Sequence, residues 1–195
     1  MLSLLKKAFG GQPDNVLRPI SDIILNNHDS GFPLEAIIDR FKGTNKTIVF
    51  SEEDIVNIMS VKYGNADVLA TFSLLYPSFD FSNHFHVDHI FPKSLFTKHK
   101  LLHVGVAEED IESCIAFYNS IANLQLLGAI PNIEKRDKEF EAWLNETYTN
   151  EQDKKEFKSK HYIPFVDLSF SNFLIFMSER EKLLINKLKF ELSVN

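Results

Sequence analysis

His84-Phe85-His86-Val87-Asp88-His89-Ile90-Phe91-Pro92-Lys93-Ser94 is the stretch on which the fold of this chain turns. Five of the seven histidines lie between residues 84 and 103, a clustering too tight for composition alone. Two further segments follow in order. The first is Asn119-Ser120-Ile121-Ala122-Asn123-Leu124-Gln125-Leu126-Leu127, the second Pro131-Asn132-Ile133-Glu134-Lys135-Arg136-Asp137-Lys138.

These residue types suit phosphodiester hydrolysis, which needs a base for water, a cation for developing oxyanion charge and help for the leaving group. Asp88 offers a hard oxygen ligand for Mg²⁺ or Mn²⁺. His89 offers a group that titrates near neutrality. On a strand, residues 88 and 89 point to opposite faces. A site using both requires the strand to end or bend there, and Pro92 stands just beyond. Asn132 opens a helical pattern after Pro131, where its amide oxygen can complete the metal's protein ligands. Lys135, one turn along, faces the same way and is expected to neutralise phosphate. The pieces assemble as strand, strand and helix, with one divalent ion between the first strand's end and the helix.

Taken together, Asp-His-Ile-x-Pro at 88–92, Asn-Leu-x-Leu-Leu at 123–127 and Asn-x-x-Lys at 132–135 resemble the HNH endonucleases, whose ββα-metal motif is built from these parts. The resemblance implies His89 as general base and Asp88 and Asn132 as metal ligands. Asn123 is then the middle asparagine that pins the motif's loop, and completes the catalytic set with His89 and Lys135. His86 stands where the family often has an extra acid or histidine near the metal. Lys93, Lys135 and Arg136 are the expected nucleic-acid contacts. The final position is asparagine rather than histidine, a variant many HNH proteins share, which shifts preference toward oxygen-loving ions. The expected cofactor is therefore one Mg²⁺ or Mn²⁺, with Zn²⁺ as the lesser alternative.

A wider pattern runs from Phe9-Gly10-Gly11 through the motif to Phe140-x-x-Trp143-Leu144. It is similar to the C-terminal nuclease portion of GmrSD-type, modification-dependent restriction proteins. In that family a nucleotide-hydrolysing domain senses modified phage DNA and the HNH part cuts. No phosphate-binding Gly-rich loop occurs in this chain. The resemblance thus implies a DNA endonuclease serving phage defence, with an upstream nucleotide-hydrolysing domain or subunit as partner. A homodimer is a further expectation, because many nucleases cut both strands as dimers.

Two other readings draw on the same residues. His84-x-His86-x-Asp88-His89 matches the zinc-binding loop of the metallo-β-lactamase hydrolases, where imidazoles and a carboxylate suit a zinc pair. That fold needs many strands and further downstream ligands, and His161 is the one histidine beyond residue 103. Alternatively, an HNH-like fold has lost its chemistry and is kept for DNA or protein binding. An acidic balance favours this module; the combination of base, ligands and lysine disfavours it.

The rest of the chain reads as scaffold. Of its 195 residues, 44% are hydrophobic and 25% charged, enough for a substantial core. The net charge of −6 argues against indiscriminate nucleic-acid binding. Residues 84–103 carry three lysines against one aspartate, a local +2 that leaves −8 elsewhere. The single cysteine excludes an internal disulfide and a cysteine-based zinc knuckle. Cys114 sits among Ile111, Ile115 and Tyr118 at helical spacing, as a buried thiol, and the reducing cytoplasm is its natural compartment. Met1-Leu2-Ser3-Leu4-Leu5-Lys6-Lys7 has the wrong order and length for a signal peptide. No apolar run approaches the ~20 residues that span a membrane.

Helices are expected over 2–9, 14–28, 34–41, from Ser51 to Tyr63, 66–76, 151–160 and 170–192, with a short extended run at 47–50. The abrupt apolar start reads as a piece whose upstream partner is missing or separately encoded. Val68, Leu69, Phe72 and Tyr76 mark one buried stripe; Phe173, Phe176, Met177, Leu184, Leu188 and Leu192 mark another. Asn119 reads as a helix terminus, and His99 and His103 as solvent-facing. The expected fold is mainly α (α+β): an N-terminal helical lobe over 1–80, the ββα-metal motif with a helical insertion over 81–147, and C-terminal helices over 148–195.

Overall fold

Apolar stripes hold the helices of this chain together, and polar side chains cap two of them, at Ser51 and Asn150. A computed structural model describes residues 2–27 and 31–194. Met1, residues 28–30 and Asn195 lie outside the described residues, and with them the last position of the helix expected over 14–28. The first helix, α1 (Leu2–Leu5), is a single turn. Next, α2 (Asp14–Asn26) and α3 (Leu34–Phe41) pack through Val16, Ile37 and Phe41, a small cluster apart from the main core.

A reciprocal cap starts α4 (Glu52–Met59): Ser51 Oγ accepts from the Asp54 N–H, and the Asp54 carboxylate accepts from the Ser51 N–H at 2.8 Å. Lys6 binds the same carboxylate at 2.8 Å, tying the N-terminal segment to α4. The inner face of α4 is Ile55, Ile58 and Met59, as its spacing indicates. In α5 (Val68–Leu75) the buried stripe is Val68, Thr71, Phe72 and Leu75. Leu69 is 51% exposed instead of buried. It lies about 100° round the helix from Val68, and the i, i+3, i+4, i+7 row passes it by. Residues 47–50 form no strand; Phe50 is buried, while Val49 is exposed.

A two-stranded antiparallel sheet follows, β1 (Phe85–His89) with β2 (Leu124–Gly128). The register sets His86 against Leu127, Asp88 against Gln125 and His89 against Leu124. The connection between them carries α6 (Lys98–His103) and α7 (Ile111–Phe117). Next comes α8 (Ala129–Lys135), directly after β2. Pro131 sits in its first turn, where a missing N–H leaves no helical bond unmade. The chain ends with α9 (Phe140–Thr147), α10 (Glu151–Lys160) and α11 (Phe173–Leu192). The described chain is mostly helical with one small sheet. None of its helices is long and apolar enough to cross a membrane.

One continuous core joins α4, α5, both strands, α7, α9, α10 and α11. Its spine is α11, which buries all six expected apolar positions. Phe91, just past β1, inserts between Phe170, Phe173 and Phe176 at ring distances of 4.9–5.2 Å. The same stripe buries Arg180, which apolar periodicity does not reveal. Its guanidinium donates to the Ala122 carbonyl at 2.8 Å and the His161 carbonyl at 3.1 Å, anchoring α11 to the turn before β2. Burial lowers its pKa to about 10, so it stays charged at neutral pH. Cys114 is buried and its thiol is pushed up to about 11 by desolvation, though its neighbour Ile115 is exposed.

His161 is buried and stacked on Phe157 at 4.2 Å. Desolvation, helped by the charges of Arg180 and Lys160, lowers its pKa to about 3. The folded state therefore keeps this imidazole neutral, while the unfolded chain protonates it below about 6.5. The stabilisation is complete above that value and is lost as pH falls toward 3. At pH 5 the expected loss from this group is about 2 kcal/mol. Urea midpoints measured at pH 7 and 5 should fall more in the wild type than in His161→Phe, which keeps the ring stack; parallel falls would contradict the assignment.

Candidate active site

Strand β1 stops where a side chain takes over from the backbone ladder. Asn123, fully buried, accepts from the Phe91 N–H at 2.9 Å and donates to the Phe91 carbonyl at 3.2 Å. Its second amide hydrogen goes to the Tyr118 carbonyl at 2.8 Å, and its own carbonyl accepts from the Ile90 N–H at 2.8 Å. One amide thus closes the loop from Ile90 to Pro92 onto the end of α7, so that β1 ends at His89.

The pleat sends the two neighbouring site residues to opposite faces. Asp88 turns toward α8. There Lys135, 0% exposed, places its ammonium 2.9 Å from Asp88 Oδ2 and 2.6 Å from the His89 carbonyl. Gln125, the cross-strand partner, donates to the same Oδ2 at 3.1 Å. Burial holds the lysine below the ordinary ammonium range, opposed by the Asp88 charge. His86 shares the Asp88 face, two residues back, and is exposed. Asn132, one turn before Lys135 on α8, is half-buried, and no protein group bonds its side-chain amide among the described residues.

His89 turns the other way, into a pocket made by three residues. Its Nε2 lies 2.9 Å from Asn119 Oδ1. Tyr63 packs against the imidazole at 4.5 Å, and Tyr118 stacks at 6.1 Å. With Asn119 Oδ1 as acceptor, Nε2 carries the proton and Nδ1 keeps its lone pair. Desolvation holds the His89 pKa below the ordinary imidazole value, against the upward pull of Asn119 and Asp88. The ring is neutral near pH 7 and oriented by one nitrogen, an arrangement able to accept a proton.

The strand end thus holds Asp88 with Lys135 on one face and His89 on the other, with Asn123 closing the loop just beyond and Asn132 and His86 at the margin of the Asp88 side. Lys135 differs most from expectation: it is turned inward onto Asp88 and reaches no surface where phosphate could meet it. Lys93 is exposed with its ammonium over the Tyr63 ring, and Arg136 is exposed at a left-handed turn closing α8. His84, His99 and His103 are exposed. The residues that sequence reasoning missed are Asn119, Gln125 and Tyr63. Asn119 stands four positions before Asn123 in a segment already singled out. Tyr63 carries no sequence signal, because its contact with His89 crosses 26 residues without a periodic relation.

A single hard cation fits this donor set in part. Among the described residues no group of three or more His, Cys, Asp and Glu side chains is placed to hold a metal. One or two carboxylates with water and phosphate oxygens completing the shell is nevertheless the usual habit of Mg²⁺. Asp88 Oδ1, the Asn132 amide oxygen and the His86 imidazole are the donors available, and each residue reaches solvent at least in part. A separate cavity of about 340 Å³ opens at the far end of the sheet, lined by Phe79, Phe85, Gly128, Phe157 and His161 among others. It touches neither Asp88 nor His89. Searches of protein-family models and of curated proteins find no match to this chain.

Removing the Asn123 amide should be costly, since Asn123→Ala leaves three backbone groups without their partner. The expected destabilisation is about 2–4 kcal/mol, read from urea midpoints; a cost below about 0.5 kcal/mol would mean that water replaces the amide. Imidazole ¹⁵N spectra should also show His89 protonated at Nε2, and a mixture of tautomers in Asn119→Leu. The Nδ1-protonated form in the wild type would contradict the assigned orientation.

Proposed function

We propose that this chain is a metal-dependent DNA endonuclease of the HNH type, cutting phosphodiester bonds with one divalent ion. The carrying observation is a neutral imidazole, held through one nitrogen with the other free, on the residue next to a carboxylate at a strand end. In this reading His89 takes a proton from the attacking water through Nδ1. Its lowered pKa keeps that nitrogen unprotonated at neutral pH, as a base requires. Asp88, Asn132 and His86 would hold Mg²⁺ or Mn²⁺, which supplies charge neutralisation at the phosphoryl and leaving oxygens. Lys135 keeps Asp88 and the strand end in place from α8, and Asn123 keeps the loop closed. Lys93 and Arg136, both exposed, are the cations free to meet the DNA backbone.

The proposal extends to a role in phage defence, with a nucleotide-hydrolysing partner domain or subunit sensing the DNA. A cytoplasmic setting and a homodimer that cuts both strands belong to the same proposal. One observation favours a second reading, a binding module without chemistry: the Asp88 carboxylate is already matched by the Lys135 ammonium. The two-stranded sheet gives no support to the zinc-hydrolase alternative, whose fold is built from many strands.

Plasmid nicking with Mg²⁺, Mn²⁺ or Zn²⁺ separates these readings. The wild type should nick, a chelator should abolish the activity, and His89→Ala should lower it by about 10²–10⁴-fold without loss of folding. Asp88→Ala should lose metal affinity together with activity. DNA binding without nicking under any metal would leave the module and remove the enzyme.

A further inference from the structure

We propose that Tyr63 and Lys93 form a pair that grips a backbone phosphodiester beside His89, so that the N-terminal helical segment contributes directly to substrate binding. The inference rests on the nuclease reading for its ligand and on separate geometry for its residues. Tyr63 lies in the turn between α4 and α5, far in sequence from the hairpin. Its N–H donates to the Asn119 carbonyl at 2.8 Å, and Lys62 forms a backbone bridge with Ser120. Gly64, at φ +85°, lets the chain turn away immediately afterwards. The residue is therefore fixed to the same loop that orients the imidazole.

The ring stands 4.5 Å from the His89 imidazole, and the residue as a whole is 43% exposed. The Tyr63 hydroxyl makes no hydrogen bond to any described residue. Lys93 carries its ammonium 5.7 Å from the Tyr63 ring centre. Three lysines around the motif are matched, Lys98 to Glu108, Lys135 to Asp88 and Lys138 to Glu146, while Lys100 donates to the Ser94 carbonyl. Lys93 has no carboxylate within ion-pair distance among the described residues.

The Lys93 ammonium and the Tyr63 hydroxyl place two hydrogen-bond donors side by side next to the His89 imidazole. The non-bridging oxygens of a phosphodiester are the acceptors that such a pair suits. The grip is to the backbone, so it carries no base preference.

Fluorescence anisotropy with a labelled DNA duplex, in chelator and over a series of salt concentrations, tests the pair on the intact chain. Lys93→Met should weaken binding and reduce the slope of log affinity against log salt by about 0.9, the share of one phosphate contact. Tyr63→Phe keeps the ring on His89 and removes only the hydroxyl. It should weaken binding by about 3–10-fold with the slope unchanged. Wild-type affinity in either variant, or no duplex binding by the wild type, would overturn the proposal. The nuclease reading fails or stands separately, by His89-dependent nicking of the chain with Tyr63 and Lys93 intact. Nicking with Tyr63→Phe binding as wild type removes the pair and leaves the nuclease; binding lost in both variants without any nicking does the reverse.

Discussion

A single buried ammonium holds the site together. Lys135 brings its charge into the space between α8 and the end of β1, where Asp88 offers a paired counter-charge, Asp137 a more distant one and the His89 carbonyl a further acceptor. Desolvating a lysine costs several kcal/mol, so its position is tolerable only while both partners stay in place. That requirement fixes α8 against the strand and keeps Asn132, one turn earlier, on the Asp88 side. It also limits what the site can bind. A second cation beside Asp88 meets the Lys135 charge, so the proposed metal would be held weakly by the protein alone and better once phosphate oxygens join it.

The opposite face of the strand is organised by amides instead of charges. Asn123 satisfies the backbone where the ladder stops, and Asn119 orients the imidazole from the same loop. Behind that loop, Arg180 grips the Ala122 carbonyl from α11, and Tyr63 ties in from the turn after α4. The helices therefore do more than enclose a core. They fix the two-stranded sheet, too small to be stable alone, from both sides at the point where the proposed chemistry occurs.

Much of this was legible in the sequence because it depends on local patterns. Ser51 marked the start of α4, and the row from Phe173 to Leu192 marked the inner face of α11. Asp88-His89 before Pro92 indicated that a site using both needs the strand to end or bend there, and the family resemblance marked Asn123 as the residue that pins the loop. What stayed hidden depends on contacts between distant segments. Arg180 lies on an apolar stripe whose period gives no warning of a guanidinium aimed at carbonyls 19 and 58 residues away. Lys135 was expected to face phosphate because spacing fixes the side of a helix, not whether that side is open to water. Leu69 differs for the same reason: burial is decided by neighbours that composition does not name.

The measurement that tests the central claim most directly is a Mn²⁺ titration followed by paramagnetic broadening of backbone amide signals. The account predicts that signals of His86, Asp88 and Asn132 broaden first, at low Mn²⁺, while those of α2 and α3 stay sharp. Asp88→Ala should remove that selectivity. Broadening centred on the exposed acidic residues of α10, or spread evenly over the surface, would contradict a metal site at the junction of β1 and α8.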